Sequence, residues 1–422
     1  MSEERTETRL HQRTLGEDIR GFGDLLGEII REHGSPEIFE HVEQLRTGSI
    51  AYRAGERDSR SPLKSAVSEL DTEKQRMLAR AFTTYFELTN LSEERERIRV
   101  LRRKSQAGTL EDSLETAAAE LAGADPETAR QILDDVLIQP TFTAHPTEAR
   151  RKTIKAKLRS IATDLETLDE RRLTNKEQSQ VERDIEAEVL GLWQTEQVRE
   201  RRPEPEDEAR NVQWYLVNTI FDIVPEVYDE LETAVDEHVD ADIEVPKLLE
   251  FRSWAGSDRD GNPYVTPAVT EATLDHQREV VIERYREQLA EMSSVLSQDG
   301  DRIDVGEEIA GSVDAVDDAI PEARREANKR YPDEPYRQKV MVMREKLNRV
   351  GDIRPGGYTD AEEFYDDLAT IAESLRDNGC EVIAEAHVEK LMRQVETFGL
   401  TLASLDLRDH QKMHTTAVAE AL

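Results

Sequence analysis

Apolar residues recur at the spacing of one helix face along most of this 422-residue chain. Leu15, Ile19, Phe22, Leu25, Leu26, Ile29 and Ile30 form the first such stripe. Comparable patterns run across about 64–103, 147–172, 175–199, 207–236, 267–297, 335–350, 360–377 and 383–397. Only three short regions read as strands, near 136–143, 251–267 and 398–410. The fold class that follows is mostly α with a small strand component. Residues 201–207, 232–245 and 298–304 read as exposed loops, from their charge and lack of apolar periodicity. The length exceeds what one core usually fills, so more than one substructure is expected. No long Gly/Ser linker or strict repeat marks a boundary. Residues 417–422 lie within a helical run that carries no stop signal.

The first strand region carries the most chemistry. Val136, Leu137 and Ile138, then Pro140 and Thr141-Phe142-Thr143, read as a short buried strand interrupted by a proline. Pro146 suits the first position of a following helix, where its missing N–H costs nothing. His145 precedes that proline and is thereby pushed out of the α region. It stands at a strand-to-helix junction, where α/β enzymes place their chemistry. The helix N-terminus and the cluster Arg150, Arg151 and Lys152 together favour an anion nearby. A lone His before Pro is more often a plain helix-start residue, so the junction needs support from elsewhere.

The second region, Phe251-Arg-Ser-Trp-Ala-Gly-Ser-Asp-Arg-Asp-Gly-Asn-Pro263, is a short strand running into a turn of Gly, Asp and Asn. Asp258, Asp260 and Asn262 alternate as in a calcium loop. The spacing rejects that reading, because the glycine comes at the fourth position and Val269 stands where a glutamate belongs. A tight turn remains, displaying Arg259 while Asp and Asn side chains satisfy backbone amides. In the third region Leu400, Leu402, Leu405 and Leu407 suggest a strand ending in Arg408-Asp409-His410.

Together these strings resemble the phosphoenolpyruvate carboxylase family. Thr143, Ala144, His145, Pro146, Thr147, Glu148, Arg151 and Lys152 match its Thr-Ala-His-Pro-Thr-Glu-x-x-Arg-Lys/Arg/His signature without a gap. The second region is similar to the family's Ser-Trp-Met-Gly-Gly-Asp-Arg-Asp-Gly-Asn-Pro segment, with departures at Ala255, Ser257 and Tyr264. The third is similar to Leu-Asp-Ile-Arg-Gln, with Asp409 in place of the Gln. Leu192-Trp-Gln-Thr-Glu-Gln-Val-Arg199, Arg202-Pro203, Leu26–Arg31 and Phe39–Glu43 carry weaker likeness, so the resemblance runs from about residue 14 to the end.

The resemblance implies a helical region over 1–135, then the first part of a TIM-like parallel α/β barrel over 136–422 with long helical insertions. It implies joining of bicarbonate to phosphoenolpyruvate, giving oxaloacetate and phosphate, with Mg²⁺. His145 would be catalytic, and Arg408, Arg259 and Trp254 would bind substrate. Family members are about twice as long and assemble as homotetramers. Their metal carboxylates, a catalytic lysine and the inhibitor site belong to the other half, so this chain is expected to be a fragment, or else the product of a split or truncated gene, and inactive by itself. The alternative is a non-catalytic helical scaffold or assembly piece that keeps the motifs without the metal site.

Composition narrows the partners. With 56 basic and 91 acidic residues the net charge is −35, which opposes binding to nucleic acid. Local clusters can still override that field for small anions. Lysine is scarce, 13 against 43 arginines, and aromatics are 5%, a pattern expected of a protein from a high-salt cytoplasm. The single Cys380 excludes an intramolecular disulfide and a Cys-rich metal site. His410 and His414 share a helix face, but no Glu supports a zinc motif there. The N-terminal residues lack the apolar core of a signal peptide and no stretch reaches membrane-spanning length, so a soluble, cytoplasmic protein is expected.

Overall fold

The computed structural model describes residues 13–143, 152–196, 204–260, 262–303, 305–314 and 319–421. The chain divides into two compact units, Met1–Glu111 with Thr147–Arg202, and Asp112–Pro146 with Pro203–Leu422. Two stretches distant in sequence thus build each core.

In the first unit, the helix Leu15–His33 opens with a capping box. The Thr14 backbone N–H donates to Glu17 Oε2 at 2.8 Å, and Thr14 Oγ1 accepts from the Glu17 amide. The expected stripe is the buried one, with Phe22, Leu26, Ile29 and Ile30 inside. The pattern from residue 64 splits into two helices, Ser61–Ser68 and Thr72–Gln106. Asp71 sets the second start by accepting from the Lys74 amide at 2.9 Å. Lys152–Glu170 and Asn175–Gln194 complete the unit, packing Ile161, Val189 and Trp193 against Leu26 and Leu88.

This core also holds charge. Arg99 is fully buried and donates to both oxygens of Asp169, at 2.8 and 3.0 Å, while pairing with Asp18 at 2.7 Å. Burial opposes the charge of Asp169, but hydrogen bonds from Arg99 and Arg95 outweigh it and hold that carboxyl below its ordinary range. Removing one member would leave a buried charge unpaired, which is costly.

The second unit centres on an aromatic stack. Phe398 lies 5.2 Å from Phe221 and 5.4 Å from Phe251, the latter pair almost parallel at 9°. The Tyr285 hydroxyl donates to Gly399 O at 2.8 Å, fixing the turn after the helix Lys390–Phe398. Phe251 leads directly into a strand, so the stack ties the helices to the sheet. Among the described residues the strands are β1 (Thr141–Phe142), β2 (Arg252–Ser253) and β3 (Ser404–Leu405). They pair in parallel in the order β1-β2-β3, with Thr141, Arg252 and Ser404 level with one another. Parallel neighbours need long crossovers, and helices fill both connections. The described strands form an open three-stranded sheet within a mostly helical chain.

Several expectations are corrected. Val136, Leu137 and Ile138 are 36, 50 and 54% exposed, so they are not a buried strand. Ile138 pairs its backbone with Leu248 and Glu250, while its side chain stays half exposed. The expected third strand shrinks, because Gly399 ends the preceding helix with φ 55° and Leu402 turns through φ 67°. Leu400 and Leu402 are therefore buried in a turn, while Leu407 is exposed. Residues 232–238 are helical, since Leu231, Ala234 and Val235 continue the buried face of Phe221–His238. Pro205 starts a helix, as a proline suits the first turn, so 205–207 are not loop. That helix and its successor are joined by a π-helical turn, Leu216–Ile220, ahead of Pro225, whose missing N–H disturbs regular pairing. The helices Gly306–Asp314 and Pro321–Arg330 carry few apolar residues and show little periodicity in sequence.

Candidate active site

Parallel strands deliver their following residues to one end of the sheet, and here β2 and β3 each bring a charged loop to that end. Beyond β2, Gly256 turns the chain at φ +84°. A Cβ at this position would meet Thr273 Oγ1 at 2.3 Å, so the close approach to the helix Pro267–Val295 requires glycine. The Thr270 hydroxyl donates to Gly256 O at 2.9 Å and pins the turn. The two loops are stitched together. Ser257 Oγ donates to Asp406 O at 2.8 Å, and the Arg259 amide donates to Arg408 O at 2.8 Å.

Arg408 lies with its guanidinium carbon 3.8 Å from the centre of the Trp254 ring. Its Nη1 donates to Asp258 Oδ2 at 3.0 Å. The Trp254 indole N–H donates to Asp406 Oδ2 at 3.0 Å, and Arg252 Nε donates to Asp406 Oδ1 at 2.9 Å. The Arg252 hydrogen bonds, joined by that from Trp254, hold the Asp406 carboxyl below the ordinary carboxylate range. The same bond raises Arg252. Arg408 is thus a planar cation stacked on an indole and steered by one carboxylate. Its side chain is 39% exposed. Such a group can take two oxygens of a phosphate or carboxylate in a fork.

Sequence reading selected Trp254, Arg259 and Arg408. The first and last are in contact. Arg259 joins them through its backbone, while its Nη2 reaches Thr270 Oγ1 at 3.4 Å and its Nε is buried without a partner among the described residues. His145 lies outside the described residues, as do Arg150, Arg151, Arg199 and Arg202. The strand before it, β1, is locked to β2 by the Trp254 amide donating to Phe142 O at 2.9 Å. Asp258 does satisfy a backbone amide, that of Asp260, at 3.1 Å, and Asn262 accepts from the Tyr264 amide at 3.2 Å. Sequence reasoning missed Asp406 and the ion-pairing role of Asp258. The available signal for Asp406 was its place two residues before Arg408, on one face of an extended segment.

The chain is similar throughout to proteins of one kind. The family model for phosphoenolpyruvate carboxylase matches residues 15–422. This chain belongs to the phosphoenolpyruvate carboxylase family. A phosphoenolpyruvate carboxylase of Roseiflexus castenholzii is 36% identical over 431 residues, covering 97% of this chain and 46% of that protein. Those of Xanthomonas oryzae pv. oryzae and Rhodothermus marinus are 33% and 34% identical, covering 97% of this chain and 46% and 45% of theirs. The chain therefore spans about half the length of the curated relatives it matches. Among the described residues no three His, Cys, Asp or Glu side chains gather as metal ligands. The two site carboxylates, Asp258 and Asp406, are each held by an arginine. The described residues do not make a Mg²⁺ site.

Proposed function

We propose that this chain contributes the bicarbonate- and phosphoenolpyruvate-handling face of a carboxylase that forms oxaloacetate and phosphate. The observation that carries the reading is the stack of Arg408 on Trp254 at the sheet end, in a chain whose relatives are phosphoenolpyruvate carboxylases. Bicarbonate is a poor electrophile, so the phosphoryl group first moves onto it, giving carboxyphosphate and the enolate of pyruvate. Arg408 binds oxygens of phosphate or carboxylate in this scheme, with Trp254 as an apolar wall and Arg259 ordering the loop. His145 is the general base in this scheme: its imidazole takes the proton of carboxyphosphate and holds the departing phosphate, leaving CO₂ beside the enolate.

The same reading takes the three strands as the beginning of a TIM-like barrel and 1–135 as a helical region ahead of it. It also takes the whole protein as a Mg²⁺-dependent, cytoplasmic homotetramer of a high-salt organism.

The test is His145→Asn in a protein carrying both this chain and the other half of the relatives' length. Oxaloacetate formation should vanish while some bicarbonate-dependent phosphate release from phosphoenolpyruvate persists, because His145 acts after phosphoryl transfer. Unchanged oxaloacetate turnover would remove His145 from the mechanism.

A further inference from the structure

In the first unit, the helices Pro36–Arg53, Ser61–Ser68 and Thr72–Gln106 enclose a groove of 790 Å³. Gly48 allows the short helix to come close, since a Cβ there would meet Leu63 Cδ2 at 2.6 Å. The floor is apolar, built from Leu45, Leu63, Leu78 and Phe82. The rim is Arg53, Arg60 and Lys64, and no lining residue is acidic. That sign is unexpected in a molecule of net charge −35. Some arginines of the chain sit on carboxylates, as Arg99, Arg252 and Arg393 do. Among the described residues no ion pair engages Arg53, Arg60 or Lys64, and Arg60 rests instead 4.8 Å over the Tyr52 ring.

Three uncompensated cations around an apolar trough point to a ligand with two parts. We infer that this groove binds a small anionic amphiphile, an aliphatic body ending in an oxyanion, with the body on Leu63 and Phe82 and the head among Arg53, Arg60 and Lys64. The apolar part gains from burial, and the head gains from cations that no carboxylate among the described residues pairs. The site lies wholly within one unit and is independent of the Arg408 cluster.

The test titrates the 422-residue chain by calorimetry in ~0.1 M KCl with decanoate, decyl phosphate, decanol and inorganic phosphate. Decanoate or decyl phosphate should bind saturably, one per chain. Decanol and inorganic phosphate should each bind about tenfold more weakly or worse, since each lacks one half of the recognition. The variant R53E/R60E/K64E changes only exposed positions and should keep its helical circular dichroism while losing about tenfold or more in affinity. If that variant does not fold, Arg53→Gln with Lys64→Gln should weaken binding in the same direction. Equal binding by wild type and variant, or no saturable binding of either amphiphile, overturns the proposal. So does inorganic phosphate binding as well as the alkyl forms. Self-association of the wild type that the variant loses, without amphiphile binding, would assign the groove to a second copy of the chain.

Discussion

Asp406 holds Arg252 and the Trp254 indole at once, and Trp254 in turn carries Arg408. One carboxylate thus orients the stack from behind, while Arg408 itself donates to Asp258. Asp406→Asn keeps the shape but removes the charge that binds Arg252. The pair is part-exposed, so the stability loss by urea unfolding should be small. The indole N–H resonance of Trp254 should move, because its acceptor changes from carboxylate to amide. An unmoved resonance with unchanged stability would mean that Asp406 does not organise the site. Arg408 could be picked from the sequence because its motif carries it. Its partner Asp258 could not, since 150 residues separate the two and the Asp also fits a local turn.

At the scale of elements, the loop after β2 depends on one backbone conformation. Gly256 combines a left-handed φ of +84° with contact against Thr273. Gly256→Ala should cost about 1–3 kcal/mol in urea unfolding, more if Thr273 cannot retreat. Gly55 offers the control, with φ +74° and nothing within 4 Å of an added Cβ. Gly55→Ala should cost only the conformational part, about 1 kcal/mol. Equal losses in the two variants would rule out the close packing of the loop on the Pro267–Val295 helix. The helices themselves were largely legible beforehand. Caps such as Thr14 and Asp71, and apolar stripes such as Phe22–Ile30, are local signals. The strands were less so, because two-residue pairings between β1, β2 and β3 leave hardly any periodicity to read.

For the whole molecule, two outcomes are expected. The 422-residue chain by itself should give no oxaloacetate above background from phosphoenolpyruvate, bicarbonate and Mg²⁺. Phosphoryl transfer needs a hard cation with several oxygen ligands, and the described residues gather none. Product well above background would reveal a metal site within these residues. The second outcome concerns charge. At −35, self-repulsion opposes the compact state and salt screens it. The melting temperature should therefore rise by several degrees between ~0.1 M and ~2 M KCl. A flat or falling melting temperature would contradict the high-salt origin.

The helical character, the acidic composition and the order of the three motifs could be read from the residues alone. Each of these rests on composition or on neighbours within a few residues, through caps, periodicity and turn chemistry. It took the folded chain to place Trp254 under Arg408, to set Asp406 on Arg252 and the Trp254 indole, and to leave Val136–Ile138 exposed. The fold also decided that Arg53, Arg60 and Lys64 share one groove. Those facts depend on pairings between segments far apart in the chain, where the sequence carries the residues but not their distances. Backbone register across the parallel sheet sets those distances at the site, and helix packing sets them at the groove.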